Sequence, residues 1–349
     1  MRPGTEAFLR PQSVALVGVG DRPSSSGGAV LRNLERSRFR GRVVPVNAKG
    51  GRLLGLPVVR SLSEVSPPCD LAVIVVRPDA ILDVVREAAG SGHRNVLILP
   101  GGFAEGGEEG RARDRALRAL AQQHALTVGG PNCAGIINLL DASAPFAATF
   151  LRDLPRGGGV ALVSQSGAIA EEVIASSHWL GIPLGAVISV GNAMQLGLAE
   201  YIDELGADPA CRAILLYAES FGDAQRFREI ARRVSARKPV VALIGGRTQA
   251  GRIAAFRHTG SEALTSEQAE AFCAECGMVR ATSLRRLMLA GKAFGAHPRG
   301  IGRRVLLLSN SGGPGVLCTD QSALEGLELP RLPVALETRL RAALPPEAA

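Results

Sequence analysis

The 349-residue chain has no long hydrophobic run: its apolar stretches are of the size of LAVIVV from Leu71, whereas a membrane-spanning helix needs about 20 such residues. Its first residues, MRPGTEAFLRPQS, lack the apolar block of a secretory signal. A cytoplasmic protein with no membrane partner is therefore expected. Aromatic residues are only 4% of the chain, and its basic residues, mostly arginine, are dispersed without a Lys/Arg run. Stacking platforms and concentrated positive charge are both missing, which argues against a nucleic-acid partner. A net charge of +8 in such a chain suits anionic small molecules instead.

Cysteine is also scarce. Cys69, Cys133, Cys211, Cys273, Cys276 and Cys318 are scattered through apolar or helical surroundings, as reduced thiols are, with no disulfide framework. Cys273 and Cys276 form CAEC, but no second CxxC or paired histidines complete four ligands, so no metal site is expected.

What the chain does have is 46% hydrophobic content arranged as alternating apolar runs and amphipathic stretches. SVALVGV, VVPVN, LAVIVV, NVLIL and LTVGG alternate with AVLRNLERS, AILDVVREAAG and ARDRALRALAQQ, the pattern of a parallel sheet covered on both faces. This first unit closes near Asn138, and a Pro/Gly-punctuated passage over residues 139–159 leads to a second doubly wound series. A third start at Arg304, VLLLSNSGG, repeats the shape of VALVSQSGA: strand, Ser-x-Ser-Gly turn, helix. It is too short to bury a sheet face alone. The expected organisation is a first domain over residues 1–138, a second over 139–298 and a partial third unit over 299–349.

The turn after the first strand, GVGDRPSSSGG, offers backbone N–H groups and a helix N-terminus to a phosphate. A nicotinamide dinucleotide is disfavoured, because the third glycine of GxGxxG is missing and the second strand ends at Asn47 rather than an acid. Lys49 instead places a cation where a phosphorylated ribose could be met. SQSGA (Ser164, Gln165, Ser166, Gly167) and SNSGG (with Gly312 and Gly313) each put small residues at a strand-to-helix turn. That arrangement serves either anion binding or close helix packing. His258 in FRHTGS follows Glu219, the acid closing the strand AILLYAES. These two residues by themselves fit a phosphohistidine oriented by a carboxylate, or a surface histidine beside an unrelated acid.

Taken in order, GVGDRPSSSG, PVNAK, PGGFAE, GPNCAG, LVSQSGA, SVGN, ILLYAESFGD, KPVVALIGGR, RHTG and SNSGGPGVL resemble the nucleoside-diphosphate-forming acyl-CoA synthetases, relatives of the succinyl-CoA synthetase α subunit. The resemblance implies an α/β protein with three parts. These are an N-terminal Rossmann-like CoA-binding domain, a flavodoxin-like doubly wound ligase domain and a truncated third flavodoxin-like unit. It implies conversion of acyl-CoA, ADP and phosphate into acid, CoA and ATP. His258 would carry the phosphoryl group and Glu219 would hold the imidazole. Ser164, Gln165, Ser166 and Gly167, with Gly312 and Gly313, would supply helix ends, and Gly18, Gly20, Ser25, Lys49 and Asn132 would meet CoA. It further implies an oligomer with an ATP-grasp β-type subunit or domain that holds ADP or ATP and Mg. The chain departs from the family at Arg257, Glu262 and Leu264 around the histidine, and at Gln195 and Gly197, where aspartates are usual. The altered histidine loop and the short C-terminal unit fit an alternative, a CoA- or acyl-CoA-binding module without turnover, such as a degenerate paralogue or the sensory scaffold of a protein acyltransferase.

Overall fold

The computed structural model describes residues 4–22, 24–259 and 264–345, with the side chains of residues 254 and 256–259 outside that description. The strands are β1 (Ser13–Val17), β2 (Arg42–Val46), β3 (Gly51–Leu53), β4 (Leu56–Val58), β5 (Leu71–Ile74), β6 (Asn95–Ile98) and β7 (Thr127–Gly129). Then follow β8 (Gly135–Asn138), β9 (Phe146–Thr149), β10 (Val160–Ser164), β11 (Leu184–Ser189), β12 (Ala213–Ala218), β13 (Val240–Ile244) and β14 (Val279–Ala281). The helices that matter below are α1 (Glu6–Leu9), α2 (Ser26–Arg36), α3 (Ile81–Gly90), α4 (Gly107–Gln123), α5 (Gly167–Leu180), α6 (Leu198–Ala207), α7 (Ala224–Ser235) and α8 (Gln249–Thr259).

The first sheet runs β2-β1-β5-β6-β7, with every pairing parallel. Its central strands β1, β5 and β6 are buried almost throughout by their Val, Ile, Leu and Ala residues, while the edge strand β2 is buried only at its C-terminal end. α4 buries Gly110, Asp114, Leu117, Leu120 and Ala121, one helical stripe. Strand order reverses between β1 and β5, so their C-terminal ends open a crevice at Gly18 and Val75. The short hairpin β3–β4 follows β2, an insertion that the Gly- and Pro-containing sequence there did not announce.

The second sheet is ordered β14-β13-β12-β10-β11-β8-β9. Its five strands from β10 onward are parallel, while β8 and β9 add antiparallel to the β11 edge. The passage over residues 139–159 thus contains a strand, FAAT, where the sequence reading placed only a connection. All four of its residues, Phe146 to Thr149, are buried. The apolar run after Arg304 is expected as a strand, but among the described residues its only bridge is Arg304 to Glu328, with Val305 N–H donating to the Glu328 carbonyl at 2.9 Å. One neighbour at one point does not make a ladder.

Residues 300–349 form a compact unit of their own, separate from residues 1–299. Within it, α11 (Gly312–Leu324) and α12 (Val334–Ala343) leave Leu308, Leu324 and Val334 at least 80% exposed. α9 (Ser266–Glu275) and α10 (Leu284–Ala296) complete the larger unit.

Candidate functional site

The crevice of the first sheet is shaped by glycines. Gly18 has φ +94°, and a Cβ on it would lie 2.3 Å from the Val75 carbonyl oxygen; one on Gly27 would lie 2.3 Å from the Gly18 carbonyl. Only bare backbone lets β1, β5 and the start of α2 approach so closely. Ser25 caps α2, its Oγ accepting the Gly28 N–H at 3.2 Å, and the open N–H groups of that helix end face a cavity of about 760 Å³. Gly18, Arg22, Ser25, Arg77 and Asn132 line it, and so do Gly167 and Glu171. Asn132 occupies a left-handed conformation, φ +59°.

Lys49 and Gly20 line a neighbouring cavity of about 390 Å³ together with Arg52. Gly18, Arg22 and Ser25 border both cavities, so the expected set is split, with Lys49 on one side and Asn132 on the other. Asn47 shapes the turn before Lys49, its Oδ1 accepting the Lys49 N–H at 2.9 Å.

At the second sheet, Ser164 closes β10, its Oγ donating to the Ser166 carbonyl at 2.7 Å and accepting the Ser166 N–H at 3.1 Å. Ser166 caps α5 through Ile169 N–H. A Cβ on Gly167 would sit 3.0 Å from the Ala134 Cβ, so glycine brings α5 against the loop entering β8. Glu219 is 8% exposed and accepts the Tyr217 hydroxyl at 3.0 Å. Burial and that carboxylate push the Tyr217 phenol well up, keeping it a donor. His258 lies, by its backbone, in the last turn of α8 rather than in a loop, continuing an Ala-bearing helical segment; its side chain is outside the described residues, as is Glu262. Gly312 and Gly313 open α11 in the smaller unit, where Ser309 and Ser311 repeat the Ser164 and Ser166 bonds at 2.7 and 3.1 Å.

Residues 12–138 match the CoA binding domain family, and residues 157–294 match the succinyl-CoA ligase like flavodoxin domain family. The chain is 34% identical, over 98% of its length and 74% of the relative's, to the acetate–CoA ligase [ADP-forming] II subunit alpha of Pyrococcus furiosus. It is 31% identical to the acetate–CoA ligase [ADP-forming] of Methanocaldococcus jannaschii, spanning 97% of this chain and 47% of that one. The chain belongs to the ADP-forming acid–CoA ligase family, as an α-type part. A solved relative, the dinucleotide forming acetyl-coenzyme A synthetase 1 of Ca. Korarchaeum cryptofilum in complex with phosphate and ADP, superposes with a TM-score of 0.90 at 32% identity, covering 99% of this chain and 74% of that one.

In this α-type ligase chain, the motifs PGGFAE and SVGN give no sequence signal that Glu105 and Asn192 meet, yet the fold joins them. Glu105 accepts the N–H groups of Gly102 at 2.6 Å and Phe103 at 3.2 Å, and the Asn192 amide at 2.5 Å. Burial pushes its carboxyl up, but these bonds outweigh it and hold the group below the usual carboxylate range. The available signal was an acid just after a Gly-Gly turn, placed to accept that turn's N–H groups. Among the described residues no helix is long and apolar enough to cross a membrane.

Proposed function

We propose that this chain binds CoA at the first-sheet crevice and carries a phosphohistidine, His258, in reversible conversion of acyl-CoA, ADP and phosphate into acid, CoA and ATP. The observation that supports it is that one cavity carries both the α2 N-terminus and Gly167 of the Ser164-to-Gly167 turn on its walls. An anionic cofactor held by the first helix end would extend its reactive end toward the second.

In the proposed sequence, phosphate attacks the thioester carbonyl, the C–S bond breaks and CoA thiolate leaves, giving an acyl phosphate. A ring nitrogen of His258 then attacks phosphorus, the P–O bond to the acyl group breaks, and the free carboxylate departs. Glu219 would accept the other ring N–H of His258 and fix the nucleophilic tautomer. Gln165 and the α5 N-terminus would stabilise charge on the phosphoryl group. Transfer to ADP would fall to an ATP-grasp partner that holds the nucleotide and Mg, in an oligomer located in the cytoplasm. Acetate or a similar small acid is the proposed product, by analogy with the acetate ligases above.

The test is incubation with a cognate ATP-grasp subunit and γ-labelled ATP. Acid-labile label is expected on the wild-type chain, none on His258→Ala, and labelling slowed by orders of magnitude on Glu219→Gln. Label that persists on His258→Ala would overturn the assignment.

A further inference from the structure

The main cavity, bordered by Asn132, lies beside a second cavity of about 320 Å³ bordered by Asn192, Gln165 and Ser220. Three strand-end loops meet between them: residues 100–105 after β6, 130–132 after β7 and 190–192 after β11. Their backbones are tied together. Asn132 N–H donates to the Pro100 carbonyl at 2.9 Å, Asn192 N–H to that of Pro131 at 2.9 Å, and Met194 N–H to that of Gly130 at 3.0 Å. A Cβ on Gly191, φ +56°, would lie 2.3 Å from the Pro131 carbonyl oxygen and 2.3 Å from that of Asn132.

A side-chain relay crosses the same loops. Glu105 takes the Asn192 Nδ2 at 2.5 Å, and Asn192 Oδ1 takes the Asn132 Nδ2 at 3.2 Å. A carboxylate only accepts, so it fixes the polarity of everything beyond it. Asn192 must turn its NH2 to Glu105 and its carbonyl to Asn132. Asn132 must then spend its NH2 on Asn192, which leaves its carbonyl oxygen beside Gly101, where a Cβ would lie 2.9 Å from it. Both Gly101 and Asn132 border the main cavity.

We infer that Glu105 is a positioning residue that, through Asn192, sets the Asn132 amide as a hydrogen-bond acceptor toward an N–H or S–H donor of the CoA pantetheine arm. This rests on the CoA reading above. A polarity relay differs from simple packing because it can be broken and rebuilt by exchanging donors for acceptors.

The experiment is a double-mutant cycle on the full chain, with CoA affinity measured by calorimetry. In Glu105→Gln the backbone N–H pair holds the new amide oxygen, its NH2 faces Asn192, and both asparagines reverse. CoA affinity should fall roughly threefold to tenfold, the range of one hydrogen bond. Asn192→Asp sets two carboxylates against each other and should lose as much. In the double variant the glutamine NH2 meets the aspartate, whose second oxygen accepts the Asn132 NH2, so affinity should return to within about twofold of wild type. Additive losses in the double variant, or wild-type affinity in Glu105→Gln, would overturn the relay. A wild-type chain that does not bind CoA would overturn the CoA reading instead. The same cycle read in urea midpoints then reports the relay separately, and an absence of coupling there would overturn it too.

Discussion

The Gln165 amide oxygen accepts the Glu219 N–H at 2.5 Å and the Ser220 N–H at 3.1 Å, so the turn after β10 holds the end of β12 where the acid stands. Gln165 Nε2 also reaches Ser220 Oγ at 3.3 Å. Gln165→Ala leaves two part-buried N–H groups without this acceptor. A loss of about 1–3 kcal/mol in urea unfolding is expected, and a much smaller loss for Gln165→Glu, which keeps the acceptor. Equal effects of the two variants would show that the oxygen is not what matters.

Lys49 and Arg52 border the same cavity. If that cavity takes the phosphorylated ribose of CoA, Lys49→Ala should weaken CoA by about 1–2 kcal/mol while leaving dephospho-CoA nearly unchanged. An equal loss for both ligands in calorimetry would place the lysine elsewhere on the molecule.

His93 is fully buried, and its Nε2 has no hydrogen-bond partner among the described residues. Burial first, then the Arg42 charge, lowers its pKa from the ordinary 6.5. As pH falls below about 6.5 the unfolded chain therefore binds the proton before the folded one does, and stability declines through that range. Urea midpoints between pH 7.5 and 5 should fall for the wild type and fall less for His93→Gln. Parallel curves for the two proteins would contradict this.

The smaller unit, residues 300–349, carries exposed Leu306, Leu308, Val316, Leu317 and Leu324. With one bridge and two helices among its described residues, its amides should exchange with solvent well before those of β10 and β12. Exchange as slow as that of the core strands would refute the expectation. Adding the ATP-grasp partner should slow exchange around Ser309 and Gly315 if that face is where it docks.

The strands of SVALVGV, LAVIVV and NVLIL in the first sheet and of VALVSQSGA and AILLYAES in the second were legible because doubly covered parallel strands are largely apolar, and their end turns are punctuated by small residues. FAAT and the β3–β4 hairpin were not, since short strands beside glycine or proline carry too few residues for a period. The partition of Lys49 from Asn132 was also out of reach: it depends on how the turns after β2 and β7 are placed across the sheet. Glu105 stood in a quoted motif, but its partner Asn192 lies 87 residues on, a pairing that only the fold reveals.

The chain leaves the first sheet at Gly129 and enters the second at Gly135, yet Asn33 of α2 donates to the carbonyls of Thr149 and Leu151, both at 2.8 Å. Asn138 likewise donates to the Leu9 carbonyl at 3.1 Å. The edge pair β8–β9 is thus fastened to the first domain's helices while its ladder belongs to the second. A cut after Asn138 would sever β8 from both ladder neighbours and strip Asn33 of its acceptors. Exchanging the CoA module between relatives by recombination therefore has no clean seam at that point; a workable graft has to carry the β8–β9 pair across with it.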